Sequence, residues 1–374
     1  MVRILNSFDS IKIVLYREPD LKYRSAKIII DRSKERDKEL IEFFDEDDLL
    51  GKIDDLKKSY RSKEVLILKE FMGRKFQKCP GSPKVICCNY YLLNTCFNCL
   101  FNCTYCFLNS YLNSFGIVQF INLDDLAGII ESFCNEEDRI LRVGTGEFTD
   151  SLMFDEVTSI AANLIEGTSS IKKLFLEFKT KSSKIDHLKN VKSKGNAVLA
   201  WSLNTQRNID LYEEGTSNIY ERINACAKAQ SWGYYTALHF DPIIKYDNFI
   251  DEYFKVIEMM AERLIPSKIV WISLGCFRYS SGFKDIIKNT FIDEKLTLEE
   301  MFPGIDGKYR YITPERGEIY KRIKEKIQSH FPGVFIYLCM EDSDMWDRVF
   351  GKDYKISNDL ENDLSSHLLK NFMK

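Results

Sequence analysis

The sequence predicts an α/β fold, a partial (β/α)6 TIM-like barrel with N-terminal and C-terminal extensions. Three observations carry this prediction. Apolar runs of strand length alternate with helix-length stretches from about residue 85 to residue 285, and strands separated by helices form a parallel sheet with right-handed crossovers. Hydrophobic residues make up 45% of the 374 residues, enough for one large core or two smaller ones. A polar or otherwise special group follows every predicted strand, at the end where such barrels carry function. Residues 1–84 are expected to form an α/β extension, 85–285 the barrel, and 286–374 a mostly helical extension.

The elements are expected in this order. The run Tyr90-Tyr91-Leu92-Leu93 is the first strand, and a cysteine-rich loop follows it. A helix from Leu123 to Glu136 opens at Asn122 or Asp124, both of which suit an N-cap. Strand Arg139 to Val143, helix Phe154 to Glu166 and strand Lys173 to Phe178 come next. Lys172, Lys173, Lys179, Lys181, Lys184, Lys189, Lys192 and Lys194 crowd the following segment, expected to be a helix with a solvated face that stops near Gly195. Strand Ala197 to Leu203, helix Ile219 to Trp232, strand Tyr234 to Phe240, helix Asn248 to Leu264 and strand Lys268 to Leu274 complete six strand–helix units.

Composition excludes some functions. No run of about twenty apolar residues is present, so no membrane-spanning helix is expected. A net charge of −3 gives no global signature of nucleic-acid binding, so any such surface must be local. The chain opens Met-Val-Arg-Ile rather than with a signal peptide and carries eleven cysteines, an odd number. Both features speak for a cytoplasmic protein without a disulfide framework.

Seven of those cysteines fall between Cys79 and Cys106, and the last three read Cys99-Leu-Phe-Asn-Cys103-Thr-Tyr-Cys106. Iron–sulfur clusters are held by cysteine thiolates, commonly four. Three thiolates at these gaps hold three irons of a [4Fe–4S] cube and leave the fourth iron open to another ligand. The rival reading is zinc, because Cys96-x2-Cys99 and Cys103-x2-Cys106 are also two C-x2-C pairs. Only three residues separate those pairs, and Leu100, Phe101, Tyr105 and Phe107 make the interior apolar and aromatic, which suits a buried cluster better. Cys96 is an extra sulfur near the cluster or in the core, while Cys79, Cys87 and Cys88 are expected to pack around the cluster loop or, as a lesser option, to form a second metal site.

The Cys99–Cys106 loop resembles that of the radical S-adenosylmethionine (SAM) enzymes. More narrowly, the chain resembles the spore photoproduct lyase family over about residues 79 to 340. The likeness rests on that loop and the Phe107-Leu108-Asn109 that follows, on Gly144-Thr-Gly-Glu-Phe-Thr-Asp-Ser151, and on Thr180-Lys-Ser-Ser-Lys-Ile-Asp-His-Leu188. It rests also on Trp201-Ser-Leu-Asn204, on Glu213-Glu-Gly-Thr-Ser217 before Arg222, and on Gly307-Lys-Tyr-Arg-Tyr311. The resemblance implies a [4Fe–4S] cluster on Cys99, Cys103 and Cys106, with SAM on the open iron. It also implies a 5′-deoxyadenosyl radical, a DNA or nucleotide-containing substrate, and a one-electron reductant such as flavodoxin or ferredoxin. By position, Thr149, Lys181 and Ser202 are expected to contact SAM, Glu147 to accept from its ammonium, and Tyr105 to serve catalysis beside the cluster.

Two positions depart from the family pattern. The repair enzyme returns hydrogen from a cysteine where this chain has Glu147, and places a second tyrosine where this chain has Phe107. Either another residue (Cys96, Cys276 or Tyr279) donates, or the substrate differs, as in a radical SAM enzyme acting on a small molecule or peptide. A third expectation, a zinc or iron–sulfur module without catalysis, follows from the cysteine pairs alone.

Overall fold

The computed structural model describes residues 6–111, 115–291 and 295–373. Strands β1 (Ile13–Tyr16), β2 (Glu39–Glu42) and β3 (Val65–Lys69) begin the chain, with helices Arg24–Lys34 and Glu46–Leu56 between them. Ile13 and Leu15 pack with Leu49, Ile53 and Leu56, while Val14 packs with Ala26, Ile29 and Ile30. Both faces of β1 are therefore covered by helices, and that is why it is continuously apolar.

Next come β4 (Phe76–Lys78), β5 (Tyr91–Leu93), β6 (Cys96–Phe97), β7 (Asn102–Cys103) and β8 (Ile117–Phe120). The first sheet has the order β2-β1-β3-β8-β6, so the start of the cysteine loop belongs to it. The remaining strands are β9 (Leu141–Gly144), β10 (Leu174–Thr180), β11 (Ala197–Ser202), β12 (Glu213–Glu214), β13 (Tyr235–Ile243), β14 (Ile269–Cys276), β15 (Arg278–Tyr279), β16 (Phe302–Pro303), β17 (Tyr309–Arg310) and β18 (Ile336–Leu338). The large sheet runs β18-β14-β13-β11-β10-β9-β5-β4. Its pairings are parallel except β4 with β5.

The six expected strands are present in the expected order, and β18 adds a seventh parallel strand from the C-terminal extension. Extension and barrel also interleave at the other end, where β8 pairs with β3 and β4 with β5. The two edges of the curled sheet meet at an isolated bridge, in which Ile86 N–H donates to the Glu341 carbonyl at 2.8 Å.

Three local expectations need correction. The lysine-rich segment is not a helix but a loop with one short turn, Asp186–Leu188. Its backbone is engaged elsewhere: the Ser182 carbonyl accepts from Trp201 Nε1 at 3.0 Å and the Leu188 carbonyl from the Tyr234 hydroxyl at 2.8 Å. Carbonyls held this way are lost to a helix ladder. The expected helix Phe154 to Glu166 is broken at Ser159, whose φ is 55°, into Asp155–Thr158 and Ile160–Thr168. Buried Asp155 fastens the break by accepting from Ala161 N–H at 2.7 Å. A further helix, Gln206–Tyr212, forms where none was expected; the Thr205 side chain caps it through Asn208 N–H.

Candidate active site

The cysteine loop is held at both ends. Cys96 and Phe97 pair with β8, while Cys103 and Asn102 pair with Glu213 and Glu214 of β12. Asn98, at φ 71°, turns the chain between these anchors: its side chain donates to the Gly116 carbonyl at 2.9 Å and accepts from Cys99 N–H at 2.8 Å. Leu100 and Phe101 are buried beneath the turn. Asn109 closes it by donating to the Cys103 carbonyl at 3.2 Å.

This fold of the loop makes the three thiols neighbours. Cys103 is buried and lies within electrostatic reach of both Cys106 and Cys99. Burial pushes the Cys99 thiol up to about 12, and it raises Cys103 and Cys106 as well. Two cations oppose that rise: Lys181 acts on Cys103, and Lys181 and Lys63 act on Cys106. Lys63 also donates to the Phe101 carbonyl. Among the described residues no three His, Cys, Asp or Glu side chains gather as ligands of a single metal ion. The donor set, three soft sulfurs beside two lysines in an apolar pocket, fits a cluster with a net negative charge. Cys96 is buried within electrostatic reach of Cys99, but its thiol is engaged elsewhere: it lies near the Phe97 and Asn98 carbonyls and bonds with Thr149.

A buried ion pair stands behind the loop. Arg222 of helix Ile219–Ser231 is fully buried and donates to Glu213 Oε2 at 2.5 Å, to the Ser202 carbonyl at 2.9 Å, to the Ser217 carbonyl at 2.9 Å and to Thr216 Oγ1 at 2.7 Å. The other oxygen of Glu213 accepts from the Tyr105 hydroxyl. Burial would raise Glu213, but Arg222 and Lys181 outweigh it and hold the carboxylate below its usual range. The motif Glu213-Glu-Gly-Thr-Ser217 before Arg222 is thus one constellation, and it fixes the cluster loop through Tyr105. No role for Glu213 or Arg222 was expected from residue type alone.

The structure distributes the sequence-predicted contacts unevenly. Lys181 follows β10; its amide donates to Asp150 Oδ2 at 2.7 Å and its ammonium sits 5.8 Å from the centre of the Tyr105 ring. Ser202 ends β11 and is buried. Thr149 is buried, with its hydroxyl toward Met153 and Cys96. Glu147 is half-buried, and no hydrogen-bond partner for its carboxylate is found among the described residues. Burial raises Glu147, Asp241 raises it further, and Lys179, Lys308 and Arg278 pull it back. Lys179, Asp241 and Arg278 belong to the polar groups expected at the strand ends, though no individual role was expected of them. Phe107 is 40% exposed and packs edge-on against Tyr111 and Phe148.

Two of the suggested hydrogen donors are placed elsewhere. Alternation along β14 turns Gly275 toward Asp241 and Arg278, so Cys276 points the other way, among Tyr320, Glu341 and Arg316. Cys96 is buried and bonds with Thr149. The third, Tyr279, is buried and stacked on Tyr309 at 5.5 Å.

A curled parallel sheet with a three-cysteine loop after its first parallel strand is the architecture of a radical SAM enzyme. A sequence model of the spore photoproduct lyase family matches residues 12–339, and the chain belongs to that family. The spore photoproduct lyase of Geobacillus sp. (strain Y412MC61) is 26% identical over 253 residues, covering 65% of this chain and 74% of that protein. That of Bacillus subtilis (strain 168) is 24% identical over 267 residues, covering 66% and 75%. A solved spore photoproduct lyase complexed with dinucleoside spore photoproduct shares the fold with a TM-score of 0.75 at 22% identity, covering 88% of this chain and 98% of that one. A variant with bound AdoMet and the same dinucleoside gives a TM-score of 0.74.

Proposed function

We propose that this chain is a radical SAM lyase that acts on a covalent lesion between pyrimidine nucleotides, with a [4Fe–4S] cluster on Cys99, Cys103 and Cys106. The observation that carries this reading is the convergence of three neighbouring thiols, Lys63 and Lys181 at the mouth of the barrel. The relatives named above, one of them solved with AdoMet and a dinucleoside lesion, support it. When bound, the cluster supplies one electron to SAM, and SAM supplies the radical that abstracts hydrogen. The protein's own residues do the rest. Lys181 supplies positive charge beside the thiolates and the SAM carboxylate, and Glu147 accepts from the SAM ammonium. Ser202 offers a small hydroxyl at the cofactor. The Glu213–Arg222 pair keeps Tyr105 and the loop in register. A single-electron reductant such as flavodoxin or ferredoxin would reach the cluster from outside. The cytoplasm suits eleven free cysteines; among the described residues no helix is long and apolar enough to cross a membrane.

The test is anaerobic reconstitution with iron and sulfide, followed by SAM and dithionite with and without dinucleoside spore photoproduct. The expected result is 5′-deoxyadenosine in both mixtures and thymidine in the second. Zinc without acid-labile sulfide, or no 5′-deoxyadenosine, overturns the reading. SAM cleavage that leaves every dinucleoside lesion intact would favour a small-molecule or peptide substrate.

A further inference from the structure

A lyase that abstracts hydrogen from its substrate must return one, and position 147 here holds a carboxylate, whose O–H bond is too strong to give a hydrogen atom readily. Four thiols line the seam where the two edges of the sheet meet: Cys79, Cys87 and Cys88 on one side and Cys339 on the other. They do not occupy equivalent places. Cys79, after the antiparallel edge strand β4, lies within electrostatic reach of Glu147, and Cys88, before β5, within reach of Cys339, but neither ends a parallel strand. Cys339 follows the last residue of β18, on the side where the cluster loop and Lys181 lie. Its amide donates to the Leu274 carbonyl at 2.8 Å, which continues the ladder and fixes the residue at the rim.

The thiol of Cys339 is also held by its neighbours. Arg278 donates to Sγ at 3.4 Å and grips Asp241 through two bonds of 3.0 and 3.2 Å, while Asp241 accepts from the thiol. Gly275 makes room for this pair, since a Cβ there would lie 2.7 Å from Asp241 Cγ and 2.9 Å from Arg278 Nη1. Lys179, Asp241 and Arg278 act on both Glu147 and Cys339, so the two residues face the same mouth. Cys339 is only partly exposed, and burial with Asp241 beside it keeps the thiol protonated, the form that can give up a hydrogen atom.

We propose that Cys339, oriented by the Asp241–Arg278 pair, returns the hydrogen atom to the substrate radical in place of the cysteine that this chain lacks at position 147. This rests on the radical SAM reading above. The Sγ–H bond breaks homolytically, a C–H bond forms on the substrate carbon, and a thiyl radical remains on Cys339. One electron from the reductant that feeds the cluster and one proton from solvent restore the thiol.

The experiment uses reconstituted holoenzyme, dinucleoside spore photoproduct, SAM and dithionite in D2O. The native protein should place one solvent deuterium in the thymidine released by repair, because a thiol exchanges with water. Cys339→Ala should still form 5′-deoxyadenosine within about twofold, but lower the labelled product by at least about tenfold and release adducts instead. Cys339→Ser should behave like alanine, because serine keeps the polar contacts but has no labile hydrogen. Both variants should bind the dinucleoside without a cluster within about twofold of the native protein, which separates hydrogen return from folding and binding. Cys79→Ala and Cys88→Ala should retain the label. Persistence of the label in Cys339→Ala, recovery by serine, or loss of the label in the Cys79 or Cys88 variant would each overturn the assignment. A native holoenzyme that makes no 5′-deoxyadenosine would overturn the radical SAM reading itself, and this assignment with it.

Discussion

Replacing Arg222 by methionine tests whether the buried pair behind the cluster loop holds the loop in place. Both partners of the Arg222–Glu213 pair are essentially without solvent contact. The guanidinium makes four hydrogen bonds, at 2.9, 2.9, 2.5 and 2.7 Å, to two carbonyls, a carboxylate and a hydroxyl. Methionine fills the volume but leaves Glu213 with only the more general pull of Lys181 to oppose burial, and breaking one half of a buried pair costs about 3–5 kcal/mol. Equilibrium urea unfolding of the cluster-free protein at pH 7 reads this directly. Removing the stranded charge as well, in Arg222→Met/Glu213→Gln, should recover at least half of the loss. Because Arg222 holds the native Glu213 carboxylate below its usual range, the native pair stabilises above the unfolded-state value and that contribution fades as pH falls. The gap between native and Arg222→Met should therefore narrow on acidification. The reconstituted iron content of the single variant should also fall, because Glu213 pairs with Cys103 and accepts from Tyr105. A loss below about 1 kcal/mol, or a double variant no more stable than the single one, would refute this reasoning.

Further outcomes are expected elsewhere. Cys99→Ala, Cys103→Ala and Cys106→Ala should each abolish the visible iron–sulfur absorption after reconstitution, whereas Cys96→Ala, which removes a thiol bonded to Thr149, should keep it. Lys181→Ala should weaken SAM binding by roughly ten- to a hundredfold, the worth of a charge-assisted hydrogen bond of about 1.5–3 kcal/mol, with iron content unchanged; equilibrium dialysis with labelled SAM checks this. Within the barrel, Glu177 accepts from His239 Nε2 at 2.8 Å and Trp271 Nε1 at 3.2 Å. Burial would raise this carboxylate, but His239, Arg142 and Lys179 bring it to about 2. Its stabilising contribution is present above the unfolded value of 4.5 and is lost as pH falls toward 2, so Glu177→Gln should flatten the acid side of a stability–pH curve measured by circular dichroism.

The sequence by itself determined the parallel sheet, the order of its six central strands and the cluster loop, because each is written in local pattern. Apolar runs such as Ala197 to Ser202 are buried along their whole length and can be nothing but inner strands. Cysteines at gaps of three and two residues restrict their own chemistry before any fold is known. The loop at residues 181–195 was misread as a helix because its lysines suit one, and only the long-range bonds from Trp201 and Tyr234 to its carbonyls decide otherwise. The seventh strand, β18, is three residues long, too short for periodicity to mark. Local pattern puts Glu213 and Arg222 in one motif and Asp241 and Arg278 at strand ends, but it names no partner for any of them, and nothing local singles out Cys339. Their meaning comes from burial and from one another: a carboxylate and a guanidinium persist in an apolar interior only as partners, and which ones become partners is settled where the two edges of the sheet curl together, not along the sequence.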